Sequence, residues 1–163
     1  MIDPAWQPAG DGDEPPFEAV VGGWFLQDDG EVSLFRPNPG YQPSRPGLPT
    51  DPVDAALQRL AEDAGDGEAL LSALPDILFG VAVDEQGIAL VIPAPDGVPS
   101  VLVATALAHR ARVDTPGWRE VTVTELAAAL PPEGVDVLLN PGAPASTRLT
   151  ADAVRSAAQP ARS

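Results

Sequence analysis

Ile77-Leu78-Phe79-Gly80-Val81-Ala82-Val83 is almost wholly apolar, and its reading decides the fold. A short run with no polar alternation predicts a strand buried on both faces. Asp84-Glu85-Gln86-Gly87 follows as a turn, and Ile88 to Ile92 is a second strand. Asp96-Gly97 marks another turn before a third strand, Pro99 to Ala106. Three consecutive strands with short connections predict an antiparallel meander.

Downstream, residues 107–120 are more polar and lead into Val121-Thr122-Val123. Thr122 and Glu125 have capping-box spacing, so a short helix should bury Leu126, Ala129 and Leu130 and end at Pro131-Pro132. Val135 to Leu139 reads as a strand stopped by Asn140-Pro141-Gly142, a turn triplet. Ser146 to Leu149 suits a short last strand, and Thr150 can cap a helix over 151–158.

Upstream, a helix is capped by Asp51, opened by Pro52 and striped by Val53, Ala56, Leu57, Leu60, Ala61 and Ala64, with Gly65 as its stop. A second short helix, Glu68 to Leu74, ends at Pro75. Residues 37–50 hold five prolines and read as an extended connection. Residues 17–36 predict a hairpin: Val20 to Leu26 faces Val32 to Phe35 across Asp28-Asp29-Gly30, where glycine accepts the positive φ of a tight turn. Residues 1–16 are acidic and rich in Pro and Gly, and are expected to stay disordered. The fold class expected is α+β: a mostly antiparallel sheet of about five strands, three or four short helices packed on one side, and the hairpin. Residues 17–160 form one domain in this reading.

Composition narrows the function. The net charge is -15, and all nine basic residues are arginine. Such a chain repels phosphate backbones and anionic membranes, so neither nucleic acid nor membrane insertion is expected. There is no cysteine, which excludes a thiolate nucleophile and a disulfide framework. The acidic start lacks the basic and apolar segments of a signal peptide, so a cytoplasmic location is expected.

Two stretches carry a resemblance. Gly134 to Leu149, GVDVLLNPGAPASTRL, is similar to the end of the SseB N-terminal domain, where a strand runs into an Asn-Pro-Gly turn. Gly97 to Ala106 sits where that family has the strand leading to its "aftS" motif; Thr105 stands at the Thr/Ser position, and the motif's aromatic is missing. Gly22-Gly23-Trp24-Phe25 and Phe35-Arg36-Pro37-Asn38-Pro39 resemble the actinobacterial branch associated with type VII secretion. The likeness spans roughly residues 20–158. It implies a non-enzymatic accessory role near a secretion system, with a system component or an exported substrate as protein partner. It supplies no catalytic residues and no cofactor, and leaves the oligomeric state open.

The residues themselves offer little chemistry. His109 is the single histidine, and neither Ser100 nor Ser146 lies in a nucleophile elbow, so His109 reads as a solvated loop residue. Asp28-Asp29 and Asp84-Glu85 read as turn residues without calcium-loop spacing, and no metal site is expected. Three surfaces are candidates for a partner. His109, Arg110, Arg112 and Arg119, with Trp118 beside them, could hold an acidic peptide or simply pair with Asp114, Glu120 or the acidic tail. The turn Asn140, Pro141, Gly142 is the second. The third is the hairpin at Trp24 and Phe25, whose edge could accept a strand. Two rival readings stay open: an acidic immunity-like protein that mimics nucleic acid, and a small enzyme around His109. A cavity with polar groups converging on His109 would favour the enzyme; a solid core would favour binding.

Overall fold

A computed structural model describes residues 1–63 and 66–159. The predicted stop at Gly65 and the domain end at residue 160 lie outside the described residues. The main sheet has six strands: β3 (Phe79–Val83), β4 (Val91–Pro93), β5 (Pro99–Ala104), β6 (Gly117–Val121), β7 (Asp136–Leu139) and β8 (Thr147–Leu149). Strands β1 (Gly22–Gly23) and β2 (Arg36–Pro37) make a separate antiparallel pair. The helices are α1 (Pro52–Ala61), α2 (Gly67–Ala73), α3 (Leu107–Arg110), α4 (Val123–Ala129) and α5 (Ala151–Ala157).

The class is α+β, but the sheet is mixed. Its order is β6-β3-β5-β7-β8, with β4 joined to β5 off that path. Pairing is antiparallel except between β5 and β7, which run parallel from Ser100↔Asp136 to Val103↔Leu139. A parallel pair needs a crossover of a dozen or more residues. Residues 105–135 supply it, carrying α3, β6 and α4.

The meander is also modified. β3 and β5 are direct neighbours through Gly80↔Ala104 and Val81↔Val103. Farther along, β3 turns to Ala89 and β5 to β4, so the middle strand fills only the end where its flanking strands part. Strand β6, inside the stretch read as polar, pairs with β3 at five positions.

Burial follows the strand period. Phe79, Val81, Val101, Val103, Val137 and Leu139 meet Val53 and Leu57 of α1, Leu70 of α2, Val123 and Leu126 of α4 and Val154 of α5. The other face is thinner: Ala82, Leu102 and Leu138 are covered by Ala94, Leu90, Val113 and Trp118. Helix starts follow the expected chemistry. Asp51, Asp66 and Thr150 each accept a backbone N–H of the first turn, and Thr122 with Glu125 forms a full capping box.

The acidic start differs from its expected disorder. Ile2 bridges Val20, and the Met1 amine donates to the Gly22 carbonyl. Asp3 is buried, and its carboxylate accepts from the amides of Ala5 and Ser44 and from the Tyr41 hydroxyl. Composition averages over a segment, whereas one carboxylate that meets the Ser44 amide and the Tyr41 hydroxyl of the Pro-rich connection anchors it. Residues 7–14 are exposed.

Candidate functional site

Thr105 and Asn140 are the residues that follow β5 and β7, at the carboxyl ends of the two parallel strands. Ligand crevices of open α/β sheets form outside such ends. Asn140 takes the left-handed conformation, φ 47°, and is fully buried. Its Oδ1 accepts from the Thr105 amide at 2.9 Å, and its Nδ2 donates to Thr105 Oγ1 at 3.0 Å. The Thr105 hydroxyl donates to Asp51 Oδ2 at 2.7 Å, tying the start of α1 to the sheet. Thr105 and Asn140, the residues that carried the family resemblance in separate motifs, thus touch.

The network continues through α1 and α3. The Thr50 hydroxyl lies 2.9 Å from Asp51 Oδ2, 3.2 Å from Asp54 Oδ2 and 3.2 Å from His109 Nε2. His109 Nε2 is 3.4 Å from Asp54 Oδ2. Asp51, Asp54 and His109 are all buried, which corrects the reading of His109 as a solvated loop residue. Helix α3 is short, and its turn drives the imidazole inward against α1. Burial pushes the Asp51 carboxyl up, against the bonds from Thr105, the Asp54 amide and Thr50 that favour its charge; the neighbouring Asp54 carboxylate adds to the rise.

Arg112 determines the imidazole's tautomer. Its Nη1 lies 2.9 Å from His109 Nδ1. A guanidinium has donors only, so Nδ1 is the acceptor and the ring hydrogen sits on Nε2, facing Thr50 and Asp54. This has two chemical consequences. With its hydrogen on Nε2, the imidazole has no lone pair there to take the Thr50 proton, as a general base must. The second concerns metal. Asp51, Asp54 and His109 offer ligand atoms within 4.8 Å of one another, but both ring nitrogens are committed, so His109 ligates a cation only if Arg112 swings away.

A cleft of about 420 Å³ opens beside this network. Its walls are the 43–50 connection, α1, α3 and the 143–145 turn, with Thr50, Asp54, His109 and Arg112 among the lining residues. The polar convergence that would favour chemistry at His109 is therefore present. Ser100 and Ser146 take no part: their hydroxyls donate to the Val98 and Leu139 carbonyls.

The Arg-rich stretch does not form one patch. His109 and Arg112 face the cleft. Arg110 lies over the opposite sheet face, stacked 5.5 Å from the Trp118 ring and paired with Glu120 at 3.0 Å. Strand alternation sends Arg119 to the other side of β6, where it donates to the Gly87 carbonyl. Asn140 serves the network, and Gly142, with φ 75°, closes the turn begun by Pro141.

The hairpin is a different surface. The Trp24 ring stands edge-on to Phe35 at 5.0 Å, and the Arg36 guanidinium lies 5.6 Å over Phe25. Yet Phe25 is 55% exposed, Leu26 76% and Val32 64%, and Phe17 is exposed nearby in sequence. Residues 1–35 hold eight acidic side chains and no basic one.

Comparison of the chain with protein-family models, with curated proteins and with solved structures finds no match in any of the three. No helix among the described residues is long and apolar enough to cross a membrane. The sequence signal that reached the cleft was partial: His109 and Arg112 as candidate partner residues, Asp51 as a cap, Thr105 and Asn140 as motif residues. Thr50 and Asp54 gave none, because only the fold brings positions 50, 54, 105, 109 and 140 together.

Proposed function

We propose that this chain is a non-catalytic binding protein that engages a protein partner through its N-terminal hairpin, as an accessory to type VII secretion. The exposed tip of Trp24, Phe25, Leu26 and Val32 carries this reading. Large apolar groups clustered on an acidic surface are unfavourable in water and favourable in an interface, where aromatic residues dominate binding energy. The secretion role rests on the resemblance of the hairpin sequence. Affinity capture from an actinobacterial lysate, with wild type and a Phe25→Ser/Leu26→Ser variant in parallel, tests it. A secretion component or exported substrate retained by wild type and lost by the variant is the expected result. Equal recovery by both proteins defeats it.

The enzyme reading has one observation in its favour, the convergence of Thr50, Asp54 and His109 on the cleft. Against it stands Arg112 on His109 Nδ1, the place where a catalytic triad puts a carboxylate. Hydrolysis of a generic ester by the wild type, lost in His109→Asn, would revive it.

A further inference from the structure

We infer that the cleft between α1 and α3 is a ligand site of its own, and that it takes the carboxylate of a small aliphatic ligand on Arg112. Arg112 is exposed in the cleft wall, and no carboxylate pairs with it among the described residues. Arg110, Arg148 and Arg155 each pair with an acidic side chain, whereas Arg112 is held by a neutral imidazole instead. Its Nη1 alone is used, toward His109 Nδ1 and the Ala108 carbonyl. Guanidinium has five donors in a planar fork, so the Nε and Nη2 edge is left to meet a carboxylate bidentately.

The anchoring is what makes this arginine a receptor. His109 is buried and held by Thr50 and Asp54, so it fixes one end of the guanidinium before any ligand arrives. A side chain already held in place loses less entropy on binding. Most of the remaining wall suits a small apolar body, with Pro43, Leu48, Ala61, Ala108, Pro144 and Ala145; Gln58 and Glu62, on α1 and just past its end, are its other polar groups. The volume falls within the range of small-ligand sites, and a mostly apolar lining with a few directed polar groups is their usual construction. Two sources share this chemistry, a free aliphatic acid and the carboxyl end of a polypeptide.

The test is an NMR titration of the full chain with three probes: butyrate, trialanine and trialanine C-terminal amide. Trialanine should shift the Arg112 side-chain and His109 ring signals, and the amide should not. Butyrate shifting the same signals as strongly assigns the site to free acids, and its silence assigns it to chain ends. Arg112→Gln should weaken binding about tenfold or more, the loss of a charged hydrogen-bonded pair. Arg112→Lys, which keeps the charge but loses the fork, should weaken it less. The Phe25→Ser/Leu26→Ser variant should titrate as wild type does, which separates this site from the hairpin. The inference fails if the amide binds as well as the acid, if neither acid moves the cleft signals, or if Arg112→Gln binds unchanged while its melting temperature matches wild type.

Discussion

The hairpin tip and the cleft floor depart from the usual distribution of residues in opposite directions. At the tip, Phe25, Leu26 and Val32 stand in water. At the floor, two aspartates and an imidazole are buried. Each departure has a different basis. Buried polar groups persist only when hydrogen-bonded, and Asp51, Asp54, Thr105, His109 and Asn140 are bonded to one another. An exposed apolar tip has no such internal compensation. The contrast teaches that the floor is integral to the fold and the tip is not, and stability measurements should divide along that line.

Asn140→Ala should give the largest effect. It removes both bonds to Thr105, leaves the Thr105 amide buried without a partner, and forces alanine into a left-handed conformation. An unmet buried amide costs about 1–3 kcal/mol and the backbone about 1–2, so the loss should be about 3–4 kcal/mol. Urea denaturation measures it. A loss below about 1 kcal/mol would mean that the floor does not hold the sheet ends together.

Asp51 sharpens the same side of the comparison with pH. Asp51→Ala deletes the cap of α1 and the acceptor for the Thr50 and Thr105 hydroxyls, and should cost about 2–3 kcal/mol. Asp51→Asn keeps the cap, because asparagine caps as well as aspartate. Its effect should depend on pH in a definite direction. The folded protein holds the Asp51 proton to higher pH than the unfolded chain, so this group favours folding at acid pH. That advantage is lost as pH rises from the ordinary carboxylate range, near 3.8, through the raised folded value. Asparagine does not titrate, so the variant should gain on wild type as pH rises above the ordinary carboxylate range. A stability difference that stays flat with pH contradicts the burial of this carboxylate.

These two variants also mark where the sequence was legible. Capping is local, so Asp51, Thr122 with Glu125, and Thr150 could be read from neighbours three residues away. Strands β3, β5 and β7 announced themselves by apolar runs, since both their faces are covered. Strand β6 did not, because at the sheet edge Arg119 and Glu120 reach solvent and dilute the apolar signal. The parallel β5–β7 pair was illegible for a different reason: nothing local distinguishes a strand that returns antiparallel from one that crosses over. The cleft is the extreme case. Thr50 meets His109 across 59 positions and Thr105 meets Asn140 across 35, so each residue alone has an ordinary local explanation.

Gly22→Ala moves the comparison to the hairpin and should have a smaller, local effect. A Cβ at Gly22 would lie 2.4 Å from the Arg36 carbonyl oxygen and 2.5 Å from the Phe35 ring. The two strands approach that closely because no side chain stands between them. Overpacking of this kind costs about 2 kcal/mol. The cost should appear where the contact is. Amide exchange should accelerate at Gly22, Arg36 and Asn38, whose amide bonds to the Val21 carbonyl, while Val103 and Leu139 stay protected. Uniform acceleration across both regions would show that hairpin and sheet unfold as one unit.

The smallest stability effect should come from the tip itself. Phe25→Ser and Leu26→Ser remove large apolar groups that touch little of the core, and exposed substitutions of this kind change stability by about 0.5 kcal/mol or less. Phe25 also loses its contact with the Arg36 guanidinium, worth about 0.5–1 kcal/mol at an exposed site. Thermal melting of the double variant should therefore fall within a few degrees of wild type. Its solubility at high concentration should rise, because two large exposed apolar side chains are removed from the surface. Stability and solubility thus move independently at the tip, whereas at the floor any loss of a bond destabilises the fold. If the double variant instead melts far below wild type, Phe25 and Leu26 pack against the domain in solution, and the distinction between the two regions collapses.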